Sequence, residues 1–300
     1  MGILSIIGRI PWRLRQRIGY VIGWCIGALP LRETRIAKLQ FQLFAPGTEN
    51  PASATRRIFA HCGATVLESC AVEPILRENP SCISCSDWDM ITSLLSDGKG
   101  LVALTGHYGN WELLAAYVAS QNIPLTVVGR QTRQSQFHAE IARIRKTYGV
   151  KTVWRDSTSL AREIISDLKH GHVIAALIDQ DTDVQSTFIP FFGVPASTPS
   201  SLVRLALRSG TPIVAAFLRR NSDYTFSVRI THLTDTQSTE QVLLQYHQLL
   251  EAEILADPHQ WVWFHKRWRT TANKGKRPGK VYLQWLQEFC EKREPEKARQ

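Results

Sequence analysis

Short apolar runs alternate along most of this chain with stretches whose apolar residues recur at helical spacing. Gly100-Leu101-Val102-Ala103-Leu104, Leu125-Thr126-Val127-Val128-Gly129, Lys151-Thr152-Val153-Trp154 and the run from Val173 to Ile178 are short enough to be buried strands. Between them, Leu113, Leu114, Tyr117 and Val118 recur at helical spacing, and Gln136 to Tyr148 and Leu160 to Lys169 predict two further helices. Leu202 to Arg208 continues the series as a helix and Pro212 to Leu218 as a strand. Tyr224 to Ile230 alternates and adds an antiparallel strand near the edge, and Gln241 to Leu255 closes the series as an amphipathic helix. The expected fold class is therefore α/β, a single domain with a central, mostly parallel sheet, mixed at its edge and flanked by helices.

The N-terminal segment has a different pattern. Ile3, Ile6, Ile7 and Ile10 follow helical spacing, Pro11 interrupts, and Arg13, Arg15 and Arg17 form a basic flank. From Ile18 to Leu31 there are 14 residues without charge, short of the roughly 20 that span a bilayer. The segment is thus expected to lie in the membrane interface rather than cross it, with Trp12, Tyr20 and Trp24 at the headgroup level. The alternative is an ordinary buried helix. Gly19, Gly23 and Gly27 repeat every fourth residue, which places three small residues on one helix face suited to close packing. Met1-Gly2 with Ile at position 6 is a poor myristoylation signal. No linker or low-complexity tract divides the rest, so residues 1–45 form a membrane-associated helical segment and residues 46–300 one catalytic domain.

Composition narrows the class of partner. The 44% hydrophobic content supports a sizeable core, and the formal charge of +10 favours an acidic partner, whether nucleic acid, anionic lipid or an acidic carrier protein. Cys82-Ile83-Ser84-Cys85 is a single Cys-x2-Cys. With Cys62 and Cys70 it would make four thiolates, but those two fall in the helix-like run from Arg56 to Val72, where cysteine is commonly a small apolar residue.

The chemistry concentrates in Thr105-Gly106-His107-Tyr108-Gly109-Asn110-Trp111-Glu112, at a strand-to-helix turn. An imidazole can take a proton near neutral pH, and a carboxylate can fix its tautomer, so His107 and Glu112 are expected as a catalytic dyad. Asn110 and Glu112 can also be read as a cap and a dipole partner for the following helix. In an open α/β sheet, ligands gather beyond the carboxyl ends of strands, where His107, Arg130 and Asp179 all fall. Arg143 and Arg145 lie on the helix after Arg130, and either serves a site or a solvated basic face. The segment Phe188 to Pro195, with Phe191 and Phe192, is a rigid apolar loop suited to an acyl-chain pocket or to the core.

His-x4-Glu within Gly-His-Tyr-Gly-Asn-Trp-Glu resembles the motif of the lipid A biosynthesis acyltransferase family, the late lauroyl and myristoyl transferases, within the wider glycerolipid acyltransferase superfamily. Three further segments resemble the family in order: Ile178-Asp179-Gln180-Asp181, Phe188 to Ala196, and Gln260 to Thr270 with its Trp-x-His-x-Arg signature. The resemblance implies a glycerolipid-acyltransferase-like fold at the cytoplasmic face of the inner membrane. It implies transfer of an acyl chain from acyl carrier protein or acyl-CoA to a lipid hydroxyl, with His107 as base and Glu112 orienting it. It also implies substrate contacts from Asn110, Arg130, Arg143, Asp179, Phe191, Phe192, His265 and Arg267. Arg143 aligns best with an arginine of the family's active region, and Asn110 marks the helix start where backbone donors can meet an oxyanion. The chemistry needs no metal or cofactor, and no nucleic acid is expected.

Two rival readings stand beside this one. Asp179-Gln180-Asp181, with Asp183 nearby, resembles the Asp-x-Asp of metal-dependent glycosyltransferases, which would leave His107 and Glu112 without a role. The basic and aromatic stretch from His265 to Lys280 could instead bind membrane or nucleic acid. The chain departs from the family's pattern at Ser197-Thr198-Pro199-Ser200-Ser201, where a Thr-rich run is usual, and at Lys38-Leu39, where many members have Asn-Leu.

Overall fold

A computed structural model describes residues 7–45, 49–78, 80–130, 135–273 and 275–297. Three helices come first: α1 (Trp12–Gly27), α2 (Arg32–Phe44) and α3 (Pro51–Ser69). The short α4 (Glu73–Glu78) leads to β1 (Ile83–Cys85) and α5 (Trp88–Leu95). Alternation then sets in with β2 (Leu101–Thr105), α6 (Trp111–Ser120), β3 (Leu125–Gly129), α7 (Ser135–Thr147), β4 (Val150–Trp154), α8 (Leu160–Lys169) and β5 (Val173–Leu177). A hairpin of β6 (Ser186–Phe191) and β7 (Val194–Pro199) precedes α9 (Ser201–Ser209), β8 (Ile213–Arg220), β9 (Phe226–His232) and α10 (Thr239–Ala256). The two-residue strands β10 (Thr270–Thr271) and β11 (Gly275–Lys276) precede the terminal helix α11 (Gly279–Lys297).

Seven strands form one sheet in the order β1-β9-β8-β2-β5-β3-β4. The five from β8 to β4 run parallel, β9 pairs antiparallel with β8, and β1 runs parallel to β9. This is the mixed-edge, mostly parallel sheet that the alternation predicts. β2 lies near the centre and every one of its residues is buried, as both faces of a parallel sheet require. Ala103, Val127 and Val214 pack on one face against Leu113 and Leu114 of α6. Val102, Leu104, Ile174 and Ala176 pack on the other against Tyr246 of α10 and Trp261.

The glycine face of α1 is turned onto α3. A Cβ at Gly19 would run into the Gly63 backbone, one at Gly23 into the Phe59 carbonyl, and one at Gly27 into the Arg56 backbone. Leu14, Val21 and Ile22 of α1 stay exposed, as do Leu29 and Leu31 just after it and Val66 of α3. Among the described residues, no helix is long and apolar enough to cross a membrane. α2 contributes Ile36, Ala37, Phe41 and Phe44 to the main core. Phe44 stacks on Trp268 with ring centres 4.1 Å apart. The expected helix through Ile3 and Ile6, the Met1-Gly2 signal and Pro46 at the expected domain boundary lie outside the described residues.

Two segments differ from their sequence expectation. Phe188 to Pro195 is a paired hairpin rather than a loop, with Phe191 opposite Val194 and Phe192-Gly193 as its two-residue turn. Both turn residues have positive φ, 50° and 73°, the conformation that two-residue hairpins favour. The basic C-terminal stretch is also knitted into the domain. Arg267 and Trp268 are fully buried, Lys276 pairs with Asp183, and Arg277 lies 4.4 Å from the Trp285 ring centre.

Candidate active site

β2 and β5 are neighbours in register, with Thr105 opposite Leu177. Two residues beyond each lie His107 and Asp179, so strand pairing alone brings them face to face. The wholly buried Asp179 carboxylate accepts three hydrogen bonds. The His107 ring Nδ1–H donates to Oδ1 at 2.8 Å and the His107 backbone N–H to Oδ2 at 2.8 Å. The Trp261 indole N–H donates to Oδ2 at 2.9 Å. Burial by itself would raise the Asp179 carboxyl, but the facing His107 and the hydrogen bonds it donates hold it well below the usual carboxylate range. A carboxylate on Nδ1 fixes the proton there and leaves Nε2 with a free lone pair, the form a general base needs.

The turn that carries His107 is held from several sides. A Cβ at Gly106 would lie 3.2 Å from the Asp179 carboxyl. Gly109 has φ of 59°, and a Cβ there would overlap the Leu218 carbonyl oxygen, so only glycine fits. Thr65 of α3 donates its hydroxyl to the Gly109 carbonyl at 2.8 Å. Asn110 caps α6, accepting the Leu113 N–H on its side-chain oxygen at 2.9 Å, a contribution of about 1 kcal/mol. Its amide donates to buried Glu68 at 2.7 Å. Glu68 also accepts from Arg220 at 2.6 Å and from Gln16 of α1 at 2.6 Å. Asn110 is therefore committed to the fold, with no face left for substrate.

Glu112 does not reach His107. Its carboxylate, 13% exposed, is gripped by Arg145 of α7. Arg145 Nε donates to one oxygen at 2.9 Å and Nη2 to the other at 2.5 Å, while the Tyr148 hydroxyl adds a third contact at 3.3 Å. The five-residue spacing fails to place the two side chains together because the intervening turn is not helical. The Trp111 ring instead packs edge-on to His107 at 4.9 Å between centres. Arg143, the arginine expected at the site, points away, with its side chain 57% exposed and paired to Glu140.

A cavity of about 650 Å³ opens beside His107, between the carboxyl ends of β3 and β5 and helices α8 and α9. Val128, Leu160, Ile164, Ala176, Ile178, Leu202 and Leu205 supply apolar wall. Arg130, Arg145, Arg155, Arg204 and Arg208 supply charge, and no carboxylate among the described residues lines it. Such a cavity suits an apolar chain that carries an anionic group. Phe191, Phe192 and Arg267 line no part of it, which corrects their expected substrate role. Phe191 is fully buried, packed on Trp261 and Trp268. Phe192 packs against Phe44 and Trp263. Arg267 donates to the Ser197 carbonyl at 2.6 Å and the Thr198 hydroxyl at 2.7 Å.

His265 is one layer behind the cavity wall, with its ring centre 5.0 Å from that of His107. Burial, reinforced by nearby His107, lowers it to about 3, so it is neutral. Gln180 joins the two, its amide nitrogen 2.8 Å from His265 Nε2 and 3.0 Å from both ring nitrogens of His107, over the imidazole face. Asp181 turns the other way and accepts from the Thr270 backbone and hydroxyl at 2.6 and 2.8 Å. The two carboxylates of Asp179-Gln180-Asp181 thus serve separate protein donors and do not converge as a metal-binding pair would.

Sequence reasoning missed Gln180, Arg145, Trp111 and Trp261 as members of this site. Gln180 and Trp261 lie inside segments singled out for their pattern. The signal for Arg145 was its position two residues from Arg143, a difference that only the packing of α7 resolves.

A family model of bacterial lipid A biosynthesis acyltransferases matches residues 1–270. The lipid A biosynthesis palmitoleoyltransferase of Escherichia coli (strain K12) is 30% identical over 114 residues, covering 36% of this chain and 37% of that protein. The lipid A biosynthesis acyltransferase of Haemophilus influenzae is 29% identical over 116 residues, 36% and 37% of the two chains. The phosphatidylinositol mannoside acyltransferase of Mycolicibacterium smegmatis is 20% identical over 189 residues, 61% of each. These matches span about a third to three fifths of the relatives' length.

Proposed function

The chain belongs to the bacterial lipid A biosynthesis acyltransferase family, and on that premise we propose that it moves a fatty acyl chain from a thioester, acyl carrier protein or acyl-CoA, to a hydroxyl of a membrane glycolipid such as a lipid A precursor. The observation that carries this reading is His107, held by Asp179 with Nε2 free to act, at the mouth of an apolar cavity with five arginines. His107 takes the proton of the acceptor hydroxyl as its oxygen attacks the thioester carbonyl. Asp179 stabilises the imidazolium that forms, which then protonates the leaving thiolate. General base catalysis of this kind is worth about 10²–10⁴-fold. The apolar walls hold acyl methylenes, each contributing about 0.8 kcal/mol. Arg145, braced by Glu112, meets an anionic part of donor or acceptor.

The exposed apolar side of α1, with Leu14, Val21 and Ile22, supports an enzyme resting on the cytoplasmic face of the inner membrane. Purified protein incubated with acyl carrier protein thioester or acyl-CoA and a membrane lipid extract should yield a new acylated lipid by mass spectrometry. His107→Ala should abolish it. Transfer that survives in that variant would overturn the reading. Co-sedimentation with anionic vesicles should weaken in an Ile22→Glu variant; undiminished binding would remove α1 from the membrane contact.

A further inference from the structure

Gln180 directly follows Asp179 and its side chain forms part of the cavity wall beside His107. Its amide nitrogen stands 3.0 Å from both Nδ1 and Nε2 of His107, over the face of the imidazole and out of line with the Nε2 lone pair. The NH2 group thus faces both rings. One hydrogen goes to His265 Nε2 at 2.8 Å, which puts the His265 proton on Nδ1. That Nδ1 is buried with no hydrogen-bond partner among the described residues. An orphaned buried donor is costly, and what it secures here is a fixed orientation of the Gln180 amide. The second hydrogen is left over the His107 ring, beside the Nε2 where the acceptor hydroxyl must bind.

The turn itself has few donors to offer a developing oxyanion. The N–H of His107 is taken by Asp179, that of Tyr108 by the Gly106 carbonyl at 2.8 Å, and that of Gly109 by the Gln260 carbonyl at 3.0 Å. The N–H of Leu113 is held by Asn110 at 2.9 Å. Backbone donors near Asn110, expected from the sequence, are thus largely committed to the fold.

We propose that Gln180 is a catalytic oxyanion donor, its amide held by His265 as a positioning residue with the second N–H above the His107 ring. This rests on the acyl-transfer reading. The hydroxyl proton passes to His107 Nε2, the oxygen–carbon bond forms, and the carbonyl π pair moves onto the oxygen facing the Gln180 N–H. That pair then re-forms the carbonyl as the carbon–sulfur bond breaks, and the thiolate leaves with the proton from the imidazolium. The donor stands beside the base on the wall of the cavity where the thioester carbonyl must sit, as such a step requires.

The test uses the full-length protein with acyl-CoA carrying a ¹³C carbonyl label and a lipid acceptor. Gln180→Leu should lower kcat by about 10²–10³-fold with little change in KM. The infrared stretch of the bound labelled carbonyl should sit at lower frequency in the unmodified protein than in the variant. The near-isosteric Gln180→Glu, checked for unchanged Tm, should lose comparable activity because an acceptor replaces the donor. His265→Phe should lower kcat, and His265→Asn, whose amide oxygen can accept the same N–H, should recover part of it. A Gln180→Leu enzyme with unchanged kcat and an unshifted carbonyl band, while His107→Ala is dead, overturns the inference alone. Thioester turnover that His107→Ala retains overturns the acyl-transfer reading and this inference with it.

Discussion

Asp179 faces His107 because Leu177 pairs with Thr105 across the β2–β5 ladder. The imidazole and its carboxylate are 72 residues apart in the chain, and each stands two residues past a paired strand position. The contact is therefore as rigid as the centre of the sheet, with Trp261 closing it from behind.

Asp179→Asn retains the shape of this contact but removes the charge that stabilises the imidazolium. Transfer activity should fall by about 10²–10⁴-fold in kcat, measured with saturating donor. The same substitution should alter acid stability. The folded carboxyl lies below its ordinary 3.8, so it contributes stability above that pH and loses it as pH falls toward the folded value. Thermal melts from pH 5 downward should be flatter for Asp179→Asn than for the unmodified protein.

Glu112 and Arg145 form a two-pronged pair at the cavity wall, and removing either should release the other. Glu112→Ala and Arg145→Ala should each reduce kcat/KM. The double variant should be little worse than the poorer single one, a coupling of about 0.5–3 kcal/mol. Strict additivity in that cycle would mean the pair does not act as a unit.

Arg267 holds the inner end of the β6–β7 hairpin through Ser197 and Thr198. Arg267→Ala should cost about 3 kcal/mol of stability, read from denaturant unfolding, because buried acceptors lose a charged donor. The donor KM of the fraction that folds should be unchanged; a raised KM at full stability would return Arg267 to the substrate site.

His247 and His265 are both lowered to about 3, chiefly by burial, and stay neutral in the fold. The unfolded chain binds protons at these positions below about 6.5 while the folded protein does not, so stability must fall as pH drops from there toward 3. The expected slope is roughly 1 kcal/mol per pH unit for each histidine. Urea titrations at pH 7, 6 and 5 should show this slope, and it should lessen in His247→Gln.

The sequence by itself determined what depends on neighbours along the chain. Apolar periodicity located β3 and α8 to the residue and β2, α6, α7, β4, β5, α9, β8, β9 and α10 within a few positions, because burial of a strand or a helix stripe is written at a period of two or 3.6, whereas the β6–β7 hairpin and the terminal helix α11 were not read from it. It likewise put His107 at a strand end and Gly19, Gly23 and Gly27 on one helix face. Only the tertiary structure decided which groups meet. Asp179 rather than Glu112 holds His107, since strand register is a contact across 72 residues whereas Glu112 is turned away by a non-helical turn. Arg145 rather than Arg143 reaches the cavity, since residues two apart on a helix face different ways and the packing of α7 chooses between them. Arg267, expected at the substrate, lies in the core because Ser197 and Thr198 supply its acceptors there, a compensation that no local pattern records.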